Sequence, residues 1–377
     1  MEIECDILVV GAGPAGSVAA LYSSKHGLNT VLIERNNKIG AHTNTRIDSS
    51  PDYGLTEIVK EMGLKTENFV FKSKWHSPSG RSFTLHSKIG EYYFKRGPDP
   101  DSFECSTVSK AIKSGCKLFL GAAGKEINKD GGRFDEVTVS QGAEKIVIKP
   151  EIIIAADGGN SIFHRYVNKR LVNNRVAYGV TGKDFIQPHT SEIYFDAELA
   201  PGGYFYLLTC LSGISSAGIV LDSDKTQSSA SDSFYEYLNK NPEIANKINL
   251  ITNNFVGRGE IFDLDTYLNK NLLFVGDAAG LIDPFLGYGM MPAIISAYCA
   301  GKYSVNAVKD KDCSLLTGYD ADIKQRFTKR LHHLCRKVFN SLNNEDFELL
   351  IEMLGGLQSK IDIDGLLSQL DSWQCEP

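Results

Sequence analysis

A chain of 377 residues exceeds what one ordinary core accommodates and suits two coupled units. Its 42% hydrophobic and 23% charged residues are those of a soluble globular protein, which excludes disordered and fibrous classes. Forty Lys+Arg against 46 Asp+Glu leave a formal charge of -6, and that balance excludes a nucleic-acid-coating surface.

The eight cysteines are scattered, with no C-x-x-C pair and no histidine at metal-ligand spacing. Free thiols, no metal and a reducing cytoplasm are therefore expected. The chain opens directly on a strand-like run, without a signal-peptide pattern. Two uncharged stretches, 7–24 and 285–301, approach spanning length. Both carry Gly and Pro near their starts, whereas a span needs ~20 predominantly apolar residues, so neither is expected to cross a bilayer.

Residues 5–10 form a short, continuously apolar run, suited to a strand at the buried centre of a parallel sheet. Gly11-Ala12-Gly13-Pro14-Ala15-Gly16 follows at once. Residues 17–26 then carry helical apolar spacing, and a β-branched run at 30–33 ends in Glu34. Strand, G-x-G-x-x-G, helix, strand and acid fill one unit of the size a dinucleotide-binding βαβ needs. Gly11 permits the sharp turn, Gly13 lets the backbone approach a pyrophosphate, and Gly16 lets the helix pack close on the strand. The helix N-terminus adds unpaired N–H groups and a partial positive charge. Glu34 has the reach to accept from both hydroxyls of an adenosine ribose and disfavours a 2′-phosphate. The unit predicts FAD or NAD and not NADP.

Residues 71–93 alternate apolar and polar positions around a turn signal at Ser77-Pro78-Ser79-Gly80, as half-exposed antiparallel strands do. An apolar run at 151–156 leads into Asp157-Gly158-Gly159-Asn160-Ser161, with Arg165 beyond. Alternation returns over 176–256, with strand-like runs at 192–195, 204–210 and 216–221 and a helix at 231–238. A last apolar run, 271–275, leads into Gly276-Asp277-Ala278-Ala279-Gly280. Pro284-Phe285-Leu286-Gly287-Tyr288-Gly289 and a helix over 292–307 follow. Near the end, residues 322–339 put Ile323, Phe327, Leu331, Leu334 and Val338 on one helical face. Lys324, Arg326, Lys329, Arg330, Arg336 and Lys337 surround it. That pattern predicts a packed surface helix, or one that rests on anionic lipid.

In order, an N-terminal G-x-G-x-x-G, a central D-G-x-x-S and a late G-D followed by P-x-x-G-x-G resemble a known signature. It is the three-part signature of the para-hydroxybenzoate-hydroxylase-like FAD superfamily, and here it spreads over most of the chain. Ala200-Pro201-Gly202-Gly203-Tyr204-Phe205-Tyr206-Leu207-Leu208 further resembles the P-G-G-Y-x-W-x-F-P segment of the geranylgeranyl reductase family. Ala217-Gly218-Ile219 and Tyr92-Tyr93-Phe94-Lys95-Arg96-Gly97 resemble two more of its strands. The match has departures. Tyr206 and Leu208-Thr209 replace the family's Trp and Phe-Pro, and Ile39-Gly40-Ala41-His42-Thr43-Asn44-Thr45 lacks its loop cysteine.

The resemblance implies an α/β fold with a discontinuous Rossmann-like FAD-binding domain at 1–70, 97–165 and 257–310. An inserted α+β substrate domain, built on an antiparallel sheet, takes 71–96 and 166–256, and a helical C-terminal region takes 311–377. The resemblance implies FAD held noncovalently by Gly11, Gly13, Pro14, Ala15, Gly16, Glu34, Arg35, Thr45, Arg96 and Ala123. Asp157, Gly158, Gly276, Asp277, Pro284, Gly287, Gly289 and Met290 complete that set. Asp277 is the expected ribityl anchor and Arg96 the expected arginine near the flavin. The helix after Gly289 aims its N-terminus at the pyrimidine end.

The implied reaction saturates prenyl (geranylgeranyl) C=C bonds of an isoprenoid or isoprenoid lipid, with hydride from reduced flavin N5 and a proton. Tyr204 and Tyr206, on one strand face by the period of two, and His42 are candidate pocket residues. No residue declares itself as the acid. No second dinucleotide unit is visible, so the electron donor is expected to be a nicotinamide or a small redox protein. The expected location is cytoplasmic, with a peripheral membrane contact through 322–339 as an added option. The same scaffold serves flavin monooxygenases of aromatic or polyene substrates and flavin-holding electron-transfer proteins, which stand as alternatives. The W-x-W-x-I-P element of flavin halogenases has no convincing match.

Overall fold

An apolar strand stays dry only when both its faces are covered, and Glu2–Val10 meets that demand at the centre of a largely parallel sheet. The computed structural model describes residues 1–284, 286–327 and 330–358, with backbone alone for 330–332 and 358. On one side of the central strand lie Thr30–Glu34 and Lys117–Leu120. On the other lie Glu144–Ala155 and Leu272–Phe274, all four parallel to it, with Leu268–Asn269 antiparallel at the edge. The hairpin of Ala122–Asp130 and Arg133–Gln141 branches from Glu144–Ala155. Helix Pro14–Lys25 packs against both Phe103–Lys113 and Met290–Asp310. The last of these begins two residues before the expected 292 and runs three beyond 307.

The second sheet runs in the order Asn253–Leu264, Lys169–Lys183, Ile214–Asp222, Tyr204–Thr209, Ser191–Tyr194, Asn68–His76, Ser82–Arg96, Arg46–Pro51. Its pairs are antiparallel except where Ser191–Tyr194 meets Asn68–His76. It curls on itself: Ile47 N donates to Ser216 Oγ at 2.8 Å and Thr181 Oγ1 donates to the Thr45 carbonyl at 2.7 Å. Tyr178, Phe205 and Ile219 fill the outer face beneath Phe234 and Tyr237 of helix Ala230–Lys240. The inner face carries Ile47, Val70, Tyr93 and Leu208, with Tyr206 packed on them. At one end of its inner strands Phe83 and Phe195 meet Phe339, Phe347 and Ile351 of helices Arg330–Ser341 and Asn344–Gln358. Arg46–Pro51 and the end of Asn253–Leu264, which the sequence reading gives to the first unit, pair within this second sheet.

The expected single helix over 322–339 is two helices, Thr317–Arg326 and Arg330–Ser341. The break dissolves the predicted face, because 3.6-residue periodicity does not carry across it. Ile323 and Phe327 join the main core, whereas Leu334 and Val338 are 57% and 54% exposed. Arg336, expected among the surface charges, is buried. Phe285, Lys329, the side chains of Arg330 and Leu331, and residues 359–377 of the expected helical region lie outside the described residues. Among the described residues, no helix is long and apolar enough to cross a membrane.

Candidate active site

Three segments far apart in the chain meet at one helix N-terminus. Gly11 adopts φ +99°, and a Cβ there would stand 2.4 Å from the Ala156 carbonyl oxygen, so the glycine-rich turn is pressed on the approach to Asp157-Gly158. A Cβ on Gly16 would stand 1.8 Å from the Gly11 oxygen; only glycine lets helix Pro14–Lys25 close on its own turn. A Cβ on Gly276 would stand 3.0 Å from Ala15 Cβ, which brings the third station onto the same helix. Gly13 is different. Among the described residues nothing lies within 4 Å of its Cβ position and no side chain caps the helix, which Pro14 begins without an acid in the first turn. An uncapped N-terminus that opens on free space is a cradle for an anionic phosphate.

Around that cradle Glu34 is fixed by its backbone neighbours. Oε2 accepts from Ala12 N at 3.0 Å, and Oε1 accepts from Asn36 N at 2.9 Å and Asn36 Nδ2 at 2.7 Å. Each carboxylate oxygen keeps acceptor capacity for a hydroxyl. Leu120 pairs beside Glu34, which sets Ala123 just past the same sheet end. Arg35 is exposed, and the Thr45 hydroxyl donates to Asp99 at 2.9 Å. Asp157 Oδ2 accepts from Ile162 N at 2.9 Å, and burial raises its carboxyl above the ordinary range. Gly158 at φ +85° has free space beyond it, as Gly13 does.

Asp277 is reached by solvent although protein surrounds its carboxyl, as for a residue on the wall of a cleft. Desolvation raises that carboxyl, and the guanidiniums of Arg96 and Arg46 oppose the rise. A Cβ on Gly289 would stand 3.5 Å from Asp277 Oδ1, so the uncapped start of Met290–Asp310 lies beside it. Arg96 is buried. Its Nε donates to Glu104 Oε1 at 2.5 Å, Nη1 to Asp48 Oδ2 at 2.8 Å and Met290 Sδ at 3.2 Å, and Nη2 to His42 Nε2 at 3.2 Å. Arg46 pairs with Asp48 as well, at 2.9 Å. Burial pushes the Asp48 carboxyl up, but Arg46 and Arg96 outweigh it and hold it below its usual range. Burial, Arg96 and Arg46 push His42 down to about 4, so it stands here as a neutral acceptor. Asp48 and Glu104 escaped the sequence reading: Asp48 belongs to no motif, and Glu104 looks like an ordinary acid in a first helical turn.

Tyr204 and Tyr206 lie on the inner side of the curled sheet with ring centroids 6.3 Å apart. The Tyr204 hydroxyl donates to the Leu286 carbonyl at 2.6 Å, and Arg175 Nη2 donates to the Pro284 carbonyl at 3.1 Å. These two bonds tie the second sheet to the segment that ends at Gly287 and Gly289. Tyr206 lies across Gly218, where a Cβ would meet its hydroxyl at 2.5 Å, so Ala217-Gly218-Ile219 makes room for that ring. Burial pushes the Tyr204 phenol up to about 12 and raises that of Tyr206 as well. Glu91, which the sequence reading passed over, is raised by burial against the opposing hydrogen bonds of Ser49 and Ser191.

Residues 6–163, which hold the first two stations, match the family described as FAD dependent oxidoreductase. The chain is an FAD-dependent oxidoreductase. FAD suits the residues present: open space at Gly13, acceptor capacity at Glu34, and the enclosed but accessible Asp277. Over 97% of its length the oxidoreductase is 28% identical to the digeranylgeranylglycerophospholipid reductase of Methanocaldococcus jannaschii, covering 94% of that protein. To the protein of the same name from Thermoplasma volcanium it is 24% identical, over 97% of this chain and 95% of that one. A geranylgeranyl bacteriochlorophyll reductase-like protein from Thermoplasma acidophilum superposes at a TM-score of 0.82 with 23% identity, over 94% of this chain and 92% of that one. The flavin-dependent brominase Bmp2 reaches 0.75 with 16% identity, over 99% and 94%. The structural likenesses speak for the fold alone. The full-length relatives bear out the resemblance to geranylgeranyl reductases drawn from the motifs.

Proposed function

We propose that this flavoprotein reduces C=C bonds of a prenyl chain carried by an isoprenoid or isoprenoid lipid. The observation that carries the reading is the junction of its two sheets. The cofactor cradle adjoins, through Pro284 and Leu286, the curled interior that holds Tyr204 and Tyr206. Similarity along nearly the whole chain to reductases named for geranylgeranyl lipids supports it. Bound FAD supplies the two electrons that an unpolarised alkene requires. The backbone at Gly11, Gly13 and Gly16 holds its diphosphate, Glu34 its ribose and Asp277 its ribityl chain. The N-terminus of Met290–Asp310 favours negative charge at the pyrimidine end. Ile47, Val70 and Leu208 orient an apolar chain and keep water away from it. Glu91 holds its proton to higher pH than an exposed glutamate and is our choice for the proton source.

The flavin is recharged by a nicotinamide or a small redox protein. A peripheral membrane contact uses the exposed Leu334, Lys337 and Val338 of helix Arg330–Ser341. The decisive experiment mixes dithionite-reduced protein anaerobically with prenyl lipids and reads product mass. Gain of hydrogen pairs supports the reductase. No gain, or an added oxygen atom on exposure to air, overturns it.

A further inference from the structure

A guanidinium that is almost wholly out of water needs partners for its nitrogens, and Arg336 has too few. It is 6% exposed, on helix Arg330–Ser341, and its Nη2 donates to Asp222 Oδ2 at 3.3 Å. Its Nε and Nη1 have no partner among the described residues. Asp222 is itself shared: Oδ2 also accepts from Asn173 Nδ2 at 2.7 Å and Asn340 Nδ2 at 3.2 Å, and Oδ1 accepts from Asp224 N at 3.1 Å. The Oδ1 atoms of Asn173 and Asn340 are buried and have no donor among the described residues.

A second buried guanidinium stands nearby. Arg175, 4% exposed, is the cross-strand partner of Asp222, so both side chains project from the same face of the sheet. Desolvation and the repulsion of Arg175 together bring Arg336 down to about 10. The motif that led to the family also shapes this place. Gly202 adopts φ +64°, and a Cβ there would stand 2.7 Å from Asp222 Cβ and 3.2 Å from Arg336 Nη2. The other carboxylate in reach, Asp283, accepts from the backbone of Leu286 and Gly287. Tyr204, which lines the curled interior, lies within the electrostatic reach of both arginines.

We propose that Arg336 and Arg175 form a subsite for a phosphate group, with the amide oxygens of Asn173 and Asn340 accepting from hydroxyls beside it. The planar guanidinium fork matches phosphate oxygens, and an added anion relieves the repulsion between two buried cations. The subsite deepens the prenyl-reductase reading and rests on it for the source of that phosphate: the headgroup end of the substrate, with free phosphate as the other source.

The test uses the full-length FAD-loaded protein and Arg336→Met, with flavin content as the control for folding. Arg336→Lys, which keeps the charge without the fork, is the second variant. In the turnover arm the probes are geranylgeranyl diphosphate and geranylgeraniol. The expected result is a KM for the diphosphate that rises tenfold or more in Arg336→Met and less in Arg336→Lys. The kcat stays within twofold, and the KM for the alcohol does not change. In the binding arm inorganic phosphate replaces chloride at constant ionic strength. A rise in Tm in the wild type that Arg336→Met loses assigns free phosphate to the site as well. A KM effect without that rise restricts the site to the ester. Equal KM values in wild type and variants for both prenyl probes overturn the subsite. So does a phosphate-induced rise in Tm that is as large in Arg336→Met as in the wild type. If the wild type reduces neither prenyl probe, the reductase reading fails, and the binding arm decides the subsite alone.

Discussion

The cofactor cradle and the curled interior of the second sheet are built from different parts of the amino acid. The cradle is backbone: Gly11, Gly16 and Gly276 stand where a Cβ would meet another segment, and Gly13 stands where one would enter open space. The interior is side chain: Arg96 between Asp48 and Glu104, Tyr206 across Gly218, and Arg336 against Asp222. A backbone site demands particular residues at fixed short spacing. A side-chain site demands only complementary partners, which the chain supplies from any distance. The two regions should therefore fail in different ways when changed.

The largest effect is expected in the interior. Glu104 is fully buried, and Arg96 is the guanidinium that neutralises it and Asp48. Arg96→Met strands Glu104, leaves Asp48 to Arg46 alone, and should destabilise the protein by about 3–5 kcal/mol, the usual loss when one partner of a buried pair is removed. Urea unfolding of the apoprotein measures it. The double variant Arg96→Met/Glu104→Gln should recover part of the loss, because the stranded charge is gone. A single variant as stable as the wild type would show that water already screens the network.

The cradle offers a sharper pair. Gly16→Ala forces a methyl against the Gly11 carbonyl and should lower stability by about 1–3 kcal/mol, as overpacking does. Gly13→Ala has room and an extended φ of -71°, so the apoprotein should change by no more than about 0.5 kcal/mol. Its FAD, however, should be lost on dialysis, because the methyl occupies the phosphate's space. Retention of flavin by Gly13→Ala would move the diphosphate elsewhere and break the contrast between the two glycines.

That contrast also explains what could be read from the sequence. The parallel core strands, the three glycine stations and the hairpin at Ser77-Pro78-Ser79-Gly80 were legible, because local periodicity and backbone demands leave local marks. The convergence of those stations was legible only through resemblance to a family. Asp48, Glu104 and Glu91 were not legible at all, since their roles arise from partners on other strands. Arg336 was read as a surface charge, because the helix break after Phe327 changes which residues face inward. His42 was a candidate by position, and only its contact with Arg96 reveals a neutral acceptor.

Glu91 turns the same contrast into a pH dependence. Its carboxyl is raised by burial above the ordinary 4.5, while Ser49 and Ser191 oppose the shift and Tyr93 and Tyr204 are the titratable neighbours that feel it. A raised folded-state value means that its contribution is complete below pH 4.5 and is lost as pH rises through the folded value. Within that window the wild type should lose up to about 1.4 kcal/mol of stability per pH unit from this group. Glu91→Gln keeps the shape without the titration and should flatten that stretch in a series of urea midpoints. Identical slopes in the two proteins would place the carboxyl in water and remove Glu91 as the proton source.

The smallest effect tests the seam between the two regions. Tyr204→Phe deletes one hydroxyl and, with it, the bond to the Leu286 carbonyl, at an expected loss of about 1 kcal/mol. The phenyl ring still fills its place against Tyr206, so the interior should stay packed. What loosens is the hold of the second sheet on the segment ahead of Gly287 and Gly289. Flavin retention should therefore fall less than in Gly13→Ala, because the diphosphate cradle is untouched. Prenyl turnover should fall more than retention does, because the interior then no longer holds its alignment with the cofactor. Equal losses of flavin and turnover would mean that Tyr204 serves the cradle alone, and the two regions would then act as one site.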